Sequence, residues 1–279
     1  MRAIWKGAVS FGLVYVPVKL YAATEQKDIK FNYLHDKCKT PVQYRRYCPY
    51  CETDVPMEEI VKGYEYEKGK YIVLRDDDFE KISTEGSKNI EILDFVNHGD
   101  IDPIYYEKAY YLAPGDGGAK VYELLRRAMA EAGKVAVSRV VIRSREALAV
   151  IRVSAGALVM STMHYPDEIR PVGILPEMNY QVSLHDNEIK MAVSLIHSLS
   201  ADFRPEKYSD TYRQTMLEAI QSKIAGEAVE VPVKPEAGRV VDLMAALKAS
   251  IELAKEERTE KVEAAKEKKP VRSAKRKTS

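Results

Sequence analysis

KVAVSRVVIRSREALAVIRVSAGALVMSTMHYPDEIRP, residues 134–171, is the stretch from which the fold is read. β-Branched residues are dense from Val135 to Ile142, the composition of a strand. Alternate side chains on a strand share a face. Arg139, Arg143 and Arg145 are therefore expected to point one way, and Ala136, Val140 and Ile142 the other. The turn is expected near Ser144-Arg145-Glu146, with Ala147 to Val153 running back as a second strand that carries Arg152. A basic ribbon with an apolar back suits a polyanion of regular shape, duplex DNA above all. A half-exposed hairpin with merely solvated arginines fits the same pattern.

Outward from this hairpin, the 279 residues suffice for one large domain or two small ones. With 43 basic and 42 acidic residues the net charge is +1, which excludes a uniformly basic coat but not a local basic surface. Tyrosine is plentiful, 18 against 5 Phe and 1 Trp, and suits half-buried sheets and wet interfaces. The apolar N-terminus is interrupted by Lys6 and Gly7 and followed by Pro17 and Lys19, with no clear small-residue cleavage site. No run approaches the roughly 20 apolar residues of a spanning helix, so no membrane partner is expected. Three cysteines do not make a disulfide framework. The expectation is a soluble cytoplasmic protein.

Residues 2–22 read as two strands around Gly7 and Gly12, with Pro17 at an edge or bend and Lys6 and Lys19 as charges in a buried-looking segment. The next segment holds all three cysteines in the order His35-x2-Cys38-x9-Cys48-x2-Cys51. Two pairs with two-residue gaps suit one tetrahedral structural zinc in a small ribbon over about 35–51. Cys48-Pro49-Tyr50-Cys51 as a redox pair, or free buried thiols, are the alternatives. Lys37, Lys39, Arg45 and Arg46 on the same loop present charge suited to a phosphate backbone. Residues 64–112 read as several short strands, the pattern of a barrel or sandwich. Asp76-Asp77-Asp78 fall just before a short helix, where capping and solvation explain them better than metal-dependent catalysis.

Ala119 to Ala132 is expected to be an amphipathic helix with Val121, Leu124, Leu125, Ala128 and Met129 on its stripe, Arg126 and Arg127 off it, and Gly133 as its stop. Helices are also expected over 187–200, with His197 as a packed core histidine, and from Asp210 to Ala225. Pro232, Pro235 and Gly238 mark a linker. Val240 to Ala254 follows as a helix whose Leu243, Met244, Leu247 and Ile251 form an apolar side, for a partner or for its own domain. Lys268, Lys269, Arg272, Lys275, Arg276 and Lys277 make the end a polybasic tail suited to nucleic acid.

Taken together, the residues resemble the bacterial Ku family, the end-binding factors of non-homologous end joining. The motifs are Arg2-Ala-Ile-Trp-Lys-Gly-Ala-Val-Ser-Phe-Gly-Leu, Val16-Pro-Val-Lys-Leu-Tyr, Lys62-Gly-Tyr-Glu-Tyr, Gly133-Lys-Val-Ala-Val-Ser-Arg-Val-Val-Ile-Arg-Ser-Arg-Glu and Met163-His-Tyr-Pro-Asp-Glu-Ile-Arg. The resemblance implies a mixed, mainly β fold: a β-barrel core with a bridging arm and flanking helices over 1–230. A linker and C-terminal helix would follow over 231–255, and the basic tail over 256–279. It implies a homodimeric ring that threads onto double-stranded DNA ends, located at the nucleoid, and that recruits the ATP-dependent DNA ligase D through the C-terminal region. It implies no catalytic residues. Phosphate contacts are then expected first from Arg139, Arg143 and Arg145, next from Lys37, Arg45 and Arg46, and after these from Lys6, Arg152 and the tail. A metal-dependent nuclease and a zinc-stabilised protein-interaction module are the competing classes.

Overall fold

The computed structural model describes residues 1–82, 88–142, 145–226, 244 and 246–253. Its strands are β1 (Trp5–Phe11), β2 (Val14–Ala22), β3 (Tyr47–Cys48), β4 (Thr53–Asp54), β5 (Lys62–Glu67), β6 (Lys70–Leu74), β7 (Asn89–Asn97), β8 (Tyr106–Pro114), β9 (Lys134–Ile142), β10 (Arg145–Ser154) and β11 (Ala157–Met163). Its helices are α1 (Asp76–Ile82), α2 (Ala119–Ala132), α3 (Asp186–Leu199) and α4 (Thr211–Ala225), with a further helical run over 246–253. The chain divides into two compact units, residues 1–174 and 175–279, a division inside the span expected as one core. Among the described residues no helix is long and apolar enough to cross a membrane.

In the first unit seven strands close a barrel in the order β1-β2-β8-β11-β10-β9-β7. Closure is by parallel pairing of β1 with β7, where the Ala8 N–H donates to the Lys88 carbonyl at 2.9 Å. Gly7 is required at this seam, because a Cβ there would meet both the Lys88 carbonyl and the Trp5 ring. A closed barrel has no edge. Pro17 therefore lies at no edge: it sits where the β2–β8 ladder begins, its carbonyl accepting the Gly115 N–H at 2.8 Å.

The interior is built from alternate positions: Val16, Val18 and Leu20 on β2, Ala136, Ser138 and Val140 on β9, Ala149 and Ile151 on β10, Leu158 and Met160 on β11. A second apolar cluster, Val135, Val150 and Met163 with Leu148, Val96, Ile101 and Tyr105, forms on the other face of the same strands. Burial on both faces explains why β11 is buried without alternation from Leu158 to Met163, Ser161 and Thr162 included.

Helix α2 forms where its 3.6-residue period places it and stops at Gly133, whose φ of 63° is left-handed. Its buried stripe is Tyr122, Leu125 and Met129; Leu124 and Ala128, expected on it, face out. Tyr122 displaces Leu124 because its hydroxyl has work at the barrel. It donates to the Leu112 carbonyl at 2.7 Å and accepts from the Leu158 N–H at 2.9 Å. Tyr122→Phe leaves both buried backbone groups without this partner. It should destabilise the barrel by about 1–3 kcal/mol, read from the denaturation midpoint.

In the second unit α3 and α4 occupy the expected spans, α4 with Asp210 as its cap and Gly226 as its stop. No described residue from 175 onward is buried. His197 is accordingly exposed rather than packed in a core: no described residue of this unit buries the apolar face of its helix.

Candidate nucleic-acid interface

β9 ends at Ile142 and β10 begins at Arg145, so the turn is tighter and earlier than expected. Ile142 pairs with Arg145, Val140 with Ala147 and Arg139 with Leu148. Paired residues project to one face. Arg145 therefore lies on the side of Ile142, opposite Arg139, and the expected single row of guanidinium groups does not form. Counting alternation straight through the turn caused the error, since the connection reverses parity between the strands. Arg139 and Arg152 share the outward face instead, with the second apolar cluster between and around them. Arg143 lies outside the described residues.

The Arg139 side chain is half exposed and its Nε stands 3.9 Å from a Glu146 carboxylate oxygen. Arg145 is largely exposed, its Nη2 3.5 Å from Glu168. Arg152 is half-buried beside Tyr106, where its charge opposes the upward push that burial gives the phenol. Lys6 is exposed, not buried; its register partner Lys19 is bound to Asp116 at 2.7 Å, and Lys6 also draws the Asp116 carboxyl down. Arg126 and Arg127 are both claimed by Glu123, whose carboxyl they hold at about 2.

The carboxylates beside the hairpin were missed from sequence. Glu107, Glu146 and Glu168 interleave with Lys108, Arg145 and His164 around a cleft of about 270 Å³. Two of the acids, Glu146 and Glu168, pair with arginines; the Met163–Arg170 motif supplies Glu168.

The arm between β2 and β7 carries the thiols. Arg45 pairs with Asp54 at 3.2 Å, while Lys37 and Arg46 have no ion pair within 4 Å among the described residues. His35 Nδ1 meets Cys38 Sγ at 3.1 Å. Hydrogen bonds from the Thr40 side chain, then His35, then the Thr40 backbone draw the Cys38 thiol down to about 7. Cys48 and Cys51 share a thiol hydrogen bond; the Cys51 and Tyr50 backbone groups draw Cys48 down, and Cys48 pushes Cys51 up. Each pair is followed by a residue with positive φ, Lys39 at 55° and Glu52 at 52°, and then by threonine. The structure thus shows two turns of one geometry. It does not bring them into one site: among the described residues no group of three or more His, Cys, Asp or Glu lies close enough to hold a metal.

Asp76, Asp77 and Asp78 form the first turn of α1 rather than preceding it; Asp78 accepts the Arg75 N–H at 3.0 Å and Asp76 pairs with Lys62 at 3.4 Å. Met244, Leu247 and Ile251 share one helical side and are half-buried. Leu243 and the tail cations Lys268, Lys269, Arg272, Lys275, Arg276 and Lys277 lie outside the described residues.

Residues 10–191 match a family model described as the Ku70/Ku80 beta-barrel domain. Three relatives carry the name "Non-homologous end joining protein Ku". The one from Symbiobacterium thermophilum is 56% identical over 260 residues, covering 92% of this chain and 64% of its own length. That from Heliobacterium modesticaldum is 46% identical over 280 residues, 100% of this chain and 99% of the relative. That from Bacillus subtilis is 46% identical over 255 residues, 90% of this chain and 82% of the relative.

Proposed function

The chain belongs to the Ku family, and from this we propose that it is a homodimeric ring that binds double-stranded DNA ends without reading sequence. In non-homologous end joining of double-strand breaks it would hold the end and recruit the ATP-dependent ligase D, acting in the cytoplasm at the nucleoid as a binding protein rather than an enzyme. The observation that carries this reading is the family match across the closed barrel. The surface supports it: outside the barrel and α2, the arm and the second unit have no buried described residue, as expected of parts completed by a second copy.

A ring that threads onto an end must also slide, so it meets phosphate and sugar rather than base edges. Arg139, Arg145 and Arg152 on the barrel, Lys6, and Lys37, Arg45 and Arg46 on the arm are the cations assigned to phosphate, and so are Arg143 and the tail cations. The half-buried side of Met244, Leu247 and Ile251, with Leu243, is assigned to the ligase. His35, Cys38, Cys48 and Cys51 are assigned to one structural zinc; matched turns and soft donors support this, and the ion would draw the two pairs together.

The deciding experiment compares one linear duplex with the same sequence covalently closed into a circle, at physiological salt. Preference for the linear form by at least about tenfold is expected, because only the non-specific backbone term remains on a circle. Equal binding would set the ring aside. Arg139→Ala should weaken binding equally on every sequence and lower the salt slope by about one unit; altered sequence preference would contradict phosphate-only contact.

A further inference from the structure

The segment Met163–Arg170 has no part in the ring as described so far. Its backbone is fixed by a capping box: the Tyr165 N–H donates to Glu168 at 2.8 Å across the 3₁₀ turn Pro166–Glu168. This turn holds the Glu168 carboxylate 3.5 Å from Arg145 and 3.7 Å from His164. One residue before the turn, the Tyr165 hydroxyl donates to Glu146 at 3.4 Å, and Glu146 faces Arg139 at 3.9 Å. Both arginines of the described hairpin with the greatest exposure thus meet a carboxylate held from this one segment.

The contacts are too long for tight, bidentate arginine–carboxylate pairs. They are also exposed, so they contribute little to the stability of the fold. A carboxylate at that distance still has two effects on an incoming phosphate: it must be displaced from the guanidinium, and its charge repels the anion.

We propose that Glu146 and Glu168 compete with DNA phosphate for Arg139 and Arg145, weakening the barrel's grip so that a loaded ring moves along the duplex. The proposal rests on the assignment of those arginines to phosphate. Glu146 and Glu168 are positioning residues, acting through the arginines, and Tyr165 orients one of them.

The test uses the full chain with Glu146→Gln and Glu168→Gln, singly and together, on a linear duplex. Each change should tighten binding about two- to five-fold, the range of a surface ion pair. The slope of log affinity against log salt should steepen by up to about one unit per freed arginine. Glutamine at 168 still accepts the Tyr165 N–H and glutamine at 146 the Tyr165 hydroxyl, so the melting temperature should not move. Arg145→Gln should then cost more affinity in the Glu168→Gln background than in the unaltered chain, and Arg139→Gln more in the Glu146→Gln background. Unchanged or weaker binding by the glutamine variants, or equal arginine costs in both backgrounds, would overturn the proposal. Should one variant melt early, the cycle at the other carboxylate decides by the same criteria. End preference is read separately, from the unaltered chain on linear and circular DNA, so either reading fails without the other.

Discussion

Val193→Glu combined with Ile196→Glu is expected to leave the chain monomeric and to remove tight binding of linear duplex. Ile189, Val193, Ile196 and Leu199 repeat along one face of α3 and are 48, 44, 63 and 65% exposed. A helix with such a stripe needs cover, and no described residue from 175 onward is buried. A second copy, as in the proposed homodimer, is the cover assigned to it. Burying a charge without a partner costs several kcal/mol, and an isologous contact meets each substitution twice. The dimer dissociation constant should therefore rise by at least about 10³-fold, since each 1.4 kcal/mol is tenfold. Glutamate is a good helix former, so loss of α3 would not be the cause. Sedimentation equilibrium gives the oligomeric state and gel shift the binding. An unaltered dimer would place the interface elsewhere; a monomer that still prefers ends would show that ring closure is not what selects them.

The parts of the fold written in local pattern were legible. Gly12, Gly133 and the helix from Ala119 to Ala132 are where period and turn chemistry put them, and the two strands of the basic hairpin form, though the second begins at Arg145 rather than Ala147. What failed depends on pairing across distance. The facing of Arg145 is decided by its partner Ile142, not by counting from Arg139. Tyr122 replaces Leu124 on the buried stripe because Leu112 and Leu158 offer a carbonyl and an N–H that periodicity does not reveal. The face of α3 announced that it wants burial but not where, so His197 was given a core that the described residues of its own unit do not form. At the site the cations were legible as types and the acids that oppose them were not. Glu146 and Glu168 reach Arg139 and Arg145 only after β10 and β11 have folded back. The cysteine spacing gave two ligand pairs, and convergence of the two lies beyond what spacing decides.

Cys48→Ser combined with Cys51→Ser should remove zinc from the protein and loosen the arm while the barrel keeps its own transition. From Tyr21 to Asn89 no described residue is buried, and β3 and β4 are two residues each. A segment of that kind has too little buried apolar surface to offset its ordering entropy. Closing the His35–Cys38 turn on the Cys48–Cys51 turn would replace a core: metal binding by such small ribbons is worth about 10–16 kcal/mol apparent, and most of it appears as folding of the ribbon. Metal analysis of the unaltered chain should give about one zinc per chain if these four ligands share one tetrahedral ion. The serine pair should give none, with fast amide exchange and protease cleavage confined to residues 31–75. The barrel should melt as before, because its interior draws on Val9, Leu20, Ile151 and Met160 and on none of the arm's described residues. Weakened DNA binding at an unchanged barrel melting temperature would tie the arm to the duplex through Lys37, Arg45 and Arg46. Zinc absent from the unaltered chain, or an arm equally protected without its thiols, would leave the four ligands without a common role.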